Sequence, residues 1–215
     1  MKRINISICV LLITLTACTK DPIVGSGIPI SEFRNVADFT KVSSEGVFEV
    51  TITQGNSQSV EVIADDNIIR RVKTEVVDNE LRLYLDDNNY EDISLKANIV
   101  AKRINGIKNT GVGNIEISNV DEGGSFEVFN SGTGNIAIQG NAESLTLQNE
   151  GTGKFNGFLF TVSNCNVEII GSGDCEVHAI STLNVDIEGS GDVYYKGTPA
   201  LEVNISGSGK VIDAN

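Results

Sequence analysis

Cys18 is the first residue with chemistry to offer. It ends Leu15-Thr16-Ala17-Cys18, behind an apolar run from Ile6 to Leu15 that only Ser7 and Thr14 interrupt, and Lys2 and Arg3 precede that run. Such a run is too short to span a bilayer and has the length of a signal-peptide core. A small residue before a cysteine reads as a lipobox: the peptidase needs small side chains at the cut, and the lipidating enzyme needs a thiol to alkylate. The expectation is a signal peptide over residues 1–17, cleavage before Cys18 and lipidation of Cys18. The plainer alternative is an ordinary secretory signal beside a chance cysteine. Acyl chains on Cys18 would each bury many methylenes at about 0.8 kcal/mol apiece, which anchors stably. Lys20-Asp21 is a basic-then-acidic start like the export tags of some surface lipoproteins. The expected location is therefore the cell envelope, anchored to the outer membrane, with leaflet and face open.

Carboxylates come next. Gly171-Ser172-Gly173-Asp174 and Gly189-Ser190-Gly191-Asp192 have a flavour of calcium-binding β-rolls. Those rolls repeat every nine residues, and here the spacing is about twice that. The same position along the chain reads Asn114, Asn135, Lys154, Asp174, Asp192, Lys210. A Lys-Asp-Asp-Lys ladder on a solvent face accounts for it, each pair worth less than about 1 kcal/mol. No metal ligand is assigned, and cation binding by Asp174 and Asp192 stays open. Glu168 and Asp186 share an outward column on neighbouring strands, about 5 Å apart. That separation suits a retaining glycosidase pair. Arginines for acidic sugars and outward aromatics are scarce nearby, so plain surface charge is the favoured reading and no catalytic residue is assigned.

His178 is the only histidine and cannot build a metal cluster alone. Cys165 and Cys175 fall at positions held elsewhere by Leu, Phe, Ile and Val, so they read as small buried apolar side chains. A disulfide between them stays open, although the two lie on opposite sides of a corner. Tyr194 is expected to point outward and Tyr195 inward; one exposed tyrosine is ordinary.

Charge narrows the partners. Cleavage before Cys18 removes Lys2 and Arg3 from 16 basic residues and none of the 29 acidic ones, leaving a net −15. Nucleic acids and anionic membrane surfaces want basic patches, so neither is an expected partner. With Cys9 lost and Cys18 lipidated, two cysteines are too few for a disulfide framework. The length remaining is enough to bury a core without staples.

These residues must be positioned by strands. Residues 18–33 carry Pro22, Gly25, Ser26, Gly27 and Pro29 and read as a lipid-anchored linker. Residues 34–103 read as an N-terminal β region of short alternating strands, with Val47 to Ile52, Val60 to Ile63 and Leu81 to Leu85 the clearest. From residue 104 to 215 a Gly-x-Gly recurs at Gly111, Gly132, Gly151, Gly171, Gly189 and Gly207, in steps of 21, 19, 20, 18 and 18. A period near twenty is a solenoid signature.

Aligned on the first glycine, the columns are coherent. Four residues before it stand Ile107, Val128, Leu147, Val167, Val185 and Val203, and two after the second glycine stand Ile115, Ile136, Phe155, Cys175, Val193 and Val211. Side chains alternate faces along a strand, so these columns point inward together. Each coil reads as a strand, a Gly-x-Gly corner and a second strand. The corners are expected to need positive φ and close coil-to-coil approach, both of which glycine permits. Two before the first glycine stand Asn109, Asn130 and Asn149, then Ile169, Ile187 and Ile205. This predicts an inward asparagine ladder in three coils, replaced by an aliphatic stack in the next three. The last coil has little after Val211 to blunt its edge, which could join another molecule.

Gln54-Gly55, Ala64-Asp65-Asp66-Asn67 and the repeated Gly113-Asn114-Ile115 and Gly134-Asn135-Ile136 resemble one bacterial family, over about residues 39 to 213. It is the auto-transporter adhesin head domain called the GIN domain, common in Bacteroidetes. The resemblance implies an all-β, right-handed parallel β-helix-like solenoid and a cell-envelope location. It brings no catalytic residues and no cofactor. Whether the N-terminal strands cap the solenoid or continue it stays open. The function expected is a non-enzymatic envelope lipoprotein that binds a glycan, another polymer or a surface protein through a rigid face. Two alternatives stand beside it: a glycan-active enzyme using stacked carboxylates, and a structural protein self-associating through the solenoid end.

Overall fold

The computed structural model describes residues 21–215. Cys18 and the expected signal peptide lie outside the described residues. The chain forms β1 (Ile23–Val24), β2 (Pro29–Phe33), β3 (Lys41–Ser44), β4 (Phe48–Gln54) and β5 (Ser59–Asp65), then a 3-10 turn η1 (Ile69–Arg71). It continues through β6 (Val72–Val77), β7 (Glu80–Leu85), β8 (Tyr90–Glu91), β9 (Leu95–Ala101) and β10 (Gly106–Asn109). Four long strands follow: β11 (Ile115–Asn130), β12 (Ile136–Asn149), β13 (Phe155–Ile169) and β14 (Cys175–Ile187). The last three are β15 (Val193–Lys196), β16 (Ala200–Ile205) and β17 (Val211–Asp213).

These strands make a parallel β-solenoid of about five turns with roughly 20 residues per coil. The expected columns are the observed registers. Ile107 pairs with Val128, Val128 with Leu147, Leu147 with Val167, Val167 with Val185 and Val185 with Val203. Ile115, Ile136, Phe155, Cys175, Val193 and Val211 stack in one line. All but Val211, on the last coil, are buried. Phe126 meets Phe160 edge to face inside, with ring centroids 5.4 Å apart, a favoured aromatic geometry.

The strands on either side of each Gly-x-Gly corner are longer than a strand–corner–strand unit implies. β11 runs without a break from one corner to the next and bends midway, where its pairing with β12 shifts between Ile117 and Val120. The bend is made by Asn119, at φ 59°, and in β12 by Gly140, at φ 133°, which pairs with Val120. In the coils of β11 to β14 the second corner is therefore a bulge inside a strand.

The N-terminal region both continues and caps the solenoid. β3 pairs parallel with β10, and β4 pairs parallel with β11, so residues 41–54 form a further coil. β7 and β9 pair parallel with the other edges of β3 and β4. The chain thus lays down β3 and β4, builds β5 to β9 below them, then returns at β10 above them. Below that layer the direction reverses. β6 lies antiparallel on β7, β5 antiparallel on β9 and β2 antiparallel on β5. Ile68 and Ile69 close the core at this end. The strands β1 and β2 fall within residues 18–33, the stretch read as a linker: Ile23 and Val24 pair with Tyr90 and Glu91, and Pro29 sits on an edge strand, where its missing N–H is tolerated.

Candidate binding surfaces

The corner glycines are structural, for one of the two reasons expected. None of the repeat glycines has a left-handed φ; among the described glycines only Gly27, Gly46, Gly140 and Gly197 do. The requirement is close approach. A Cβ on Gly132 would lie 2.0 Å from the Gly111 carbonyl oxygen, one on Gly151 1.9 Å from that of Gly132, and one on Gly171 2.0 Å from that of Gly151. Backbone stacks on backbone along the whole corner, and no side chain fits between.

Beside the glycines runs the asparagine ladder. The Asn109 Nδ2 donates to Asn130 Oδ1 at 3.2 Å, and the Asn130 Nδ2 to Asn149 Oδ1 at 3.1 Å. Each amide also donates to a corner carbonyl: Asn109 to Gly134, Asn130 to Gly153 and Asn149 to both Gly153 and Gly173. All three side chains are buried, and Ile169 and Ile187 continue the stack.

The outward column after the second glycine has a backbone job too. The N–H of Asn135 donates to Asn114 Oδ1 at 2.9 Å, that of Lys154 to Asn135 Oδ1 at 2.9 Å, that of Asp192 to Asp174 Oδ1 at 3.1 Å and that of Lys210 to Asp192 Oδ1 at 2.8 Å. Each short side chain accepts the amide of the coil above. Asp174 also accepts from Lys154 Nζ at 2.9 Å. This contact, together with the Asp192 amide, holds the Asp174 carboxyl below its ordinary pKa. Asp174 and Asp192 are thus stitched into the coil stack, one Oδ1 each committed to a backbone amide. Among the described residues no group of three or more His, Cys, Asp or Glu side chains could hold a metal ion.

Cys165 and Cys175 are both buried and both free thiols. Burial pushes each thiol up to about 12, so neither is a nucleophile near neutrality. Cys175 Sγ lies 3.6 Å from the Asn149 amide. His178 Nδ1 lies 3.3 Å from Thr161 Oγ1. Tyr195 packs partly against the core, as its inward position implies, and Tyr194 borders an outer hollow with Lys154, Asp174 and Glu176.

Two of the outer hollows have volumes of about 400 Å³ or more. The first lies over β12, β13, β14 and β16, encloses about 400 Å³ and is lined by Thr146, Gln148, Asn166, Glu168, Asn184, Asp186, Glu202 and Asn204 with Leu147, Val167 and Val185 at its floor. Here Glu168 and Asp186 stand in register, as read from the sequence. They belong to a field of amides. The Asn184 Nδ2 donates to Asn166 Oδ1 at 2.9 Å, and the Asn204 Nδ2 donates to Asp186 Oδ1 at 3.3 Å. The second hollow, about 470 Å³, lies where Ala137 makes a dip between Glu116 and Asn156, walled by Phe158 and Leu159. The pairing of β12 with β13 gains a residue between Ala137 and Gln139, which throws Leu159 out into solvent. Lys196 Nζ sits 4.5 Å from the Phe158 ring centroid.

Sequence reading missed a buried paired charge. Glu122 is buried, and Arg103 grips it through two hydrogen bonds of 2.7 Å. An acid in a column otherwise occupied by Ala142 and Val162 was the available signal.

The model of the family described as "Putative auto-transporter adhesin, head GIN domain" matches residues 38–199. The chain belongs to this family. Among curated proteins none matches it. Solved structures share the GIN domain fold. One is described as a putative adhesin from Bacteroides fragilis NCTC 9343, with TM-score 0.72, 22% identity, and coverage of 89% of this chain and 99% of that one. Another, a putative adhesin from Parabacteroides merdae ATCC 43184, has TM-score 0.58 and 20% identity over 91% of this chain and 100% of that one. A third, described as a putative lipid binding protein from Parabacteroides distasonis ATCC 8503, has TM-score 0.55 and 21% identity over 90% and 100%.

Proposed function

We propose that this GIN domain is a non-enzymatic binding module of the cell envelope, held there by a lipid on Cys18, that recognises a hydroxyl-rich polymer such as a glycan. One observation carries the reading: the amide-lined hollow over β12 to β16. Its donors and acceptors recur at the strand repeat of about 4.8 Å, on a backbone that close-stacked glycines keep from flexing. A repetitive ligand can register with such a face over several coils, and solenoids commonly bind through long regular surfaces of this kind. Family membership and the fold shared with described adhesins support an envelope role. The lipobox at Leu15 to Cys18 supports the anchor.

The test is a glycan array probed with the chain from Thr19 onward, followed by mass spectrometry for released products. Binding without product is expected, and an Asn166→Ala/Asn184→Ala double variant should lose most of it while melting normally. Released product would replace the binding role with an enzymatic one based on Glu168 and Asp186. Absence of any bound glycan would remove the polymer reading.

A further inference from the structure

The two ends of the solenoid are unlike. At the N-terminal end the core is closed by Ile68 and Ile69, and the edge strands are blunted: β2 contains Pro29, and β6 carries Lys73 and Glu75. Prolines and charges are the usual devices that keep an edge from pairing. At the C-terminal end β16 has none of them but Glu202. Among the described residues its one strand partner is β14, which leaves the other row of its backbone donors and acceptors unpaired there. Leu201, Val203 and Ile205 are 47%, 43% and 43% exposed, while Leu183, Val185 and Ile187, on which they stack, are buried. The inward columns therefore end in open apolar side chains.

We infer that a second copy of this chain covers this end, with β16 pairing antiparallel to β16 of the copy about a two-fold axis at Val203. Charge selects the contact. The chain carries a net −13, so two copies repel over most of their surfaces, yet β16 holds a single charge. The uncovered stack also finds its best match in itself, because the opposite end has already buried its own core.

The register follows from three constraints. Inward residues must face inward residues, since a one-residue slip turns the apolar set to solvent. Pairing centred on Glu202 satisfies this but sets two carboxylates directly opposite, which is destabilising. Pairing centred on Asn204 leaves Leu201 facing Gly207 of the copy. Centring on Val203 sets Leu201 against Ile205 and Glu202 against Asn204, with Val203 opposite itself. Such a contact is isologous and closes at two chains.

The experiment uses the chain from Thr19 onward, measured by light scattering across a wide concentration range and by non-reducing electrophoresis after mild oxidation. Antiparallel neighbours sit about 4.5–5.5 Å apart at Cα, within the span a disulfide bridges. A Val203→Cys variant should therefore link into covalent dimers and nothing larger. Cys165 and Cys175 are buried and do not compete. Glu202→Cys should link far more slowly, and Val203→Lys should be monomeric with an unchanged circular dichroism spectrum. A wild-type chain that stays monomeric at every concentration would overturn the inference. So would a dimer that survives Val203→Lys, a ladder of higher oligomers, or linking through Glu202→Cys as fast as through Val203→Cys.

Discussion

Asn130 shows how much a single buried side chain does in this fold. It accepts from Asn109, donates to Asn149 and donates to the Gly153 carbonyl. Replacing it with Ile, the residue of the upper coils, strands its neighbours' polar atoms in an apolar interior. Each orphan costs about 1–3 kcal/mol, so Asn130→Ile should lower stability by about 2–4 kcal/mol in denaturant unfolding. Changing Asn109, Asn130 and Asn149 to Ile together should cost less than the sum of the three single changes, because the partners leave with one another. Gly151→Ala should be worse than any single ladder change, since its Cβ meets the Gly132 carbonyl at 1.9 Å and backbone cannot step aside. Loss of the cooperative unfolding transition is the expected readout. Cys165 and Cys175 should resist a thiol reagent at pH 8 in the folded protein and react fully on unfolding. The inward columns, the ladder and the buried cysteines were legible in the sequence because strand alternation has a strict period of two. The φ of the corner glycines was not: a glycine that avoids a clash and one that adopts a left-handed turn look identical in sequence.

A coil is joined to the next by its outward column as well as by its core. Asp174 is the clearest case, accepting from the Asp192 amide and from Lys154 Nζ. Its folded-state pKa lies below the ordinary value, with the Lys154 contact the first cause. A carboxyl shifted in that direction contributes stability above its unfolded pKa and loses it as pH falls through the folded one. Asp174→Asn should therefore melt lower than wild type at neutral pH, and the gap should narrow as pH falls below about 4. Thermal melts at a series of pH values measure this. The coil formed by β3 and β4 escaped the periodic reading for a physical reason. Ser44 stands where the ladder has asparagine, and Phe48 takes the place of the second glycine, its carbonyl oxygen 1.9 Å from a Cβ built on Gly113. The bend inside β11 was equally hidden, because Asn119 carries the left-handed φ that a glycine would have advertised.

At the scale of the whole molecule, the repeat explains why one face is so regular and why the two ends differ. Parallel coils can be added until something stops them. At the N-terminal end the reversal of β2, β5 and β6 and the plug of Ile68 and Ile69 stop the stack. The order of coils there was not readable, since β3 and β4 are sandwiched between strands that follow them in the chain. The solenoid was readable from the spacing of Gly-x-Gly, and the family from that repeat together with Gln54-Gly55, Ala64-Asp65-Asp66-Asn67 and the Gly-Asn-Ile tripeptides. The outer hollow was only half readable: the shared column of Glu168 and Asp186 was named, but the hollow that Asn166 and Asn184 line with them was not. Affinity electrophoresis in gels containing purified envelope polysaccharide tests the role of that hollow most directly. Wild-type protein should be retarded in proportion to polysaccharide concentration, and the Asn166→Ala/Asn184→Ala variant should migrate freely at an unchanged melting temperature. Equal retardation of the two proteins, or none of either, would contradict a polymer-binding face at β12 to β16.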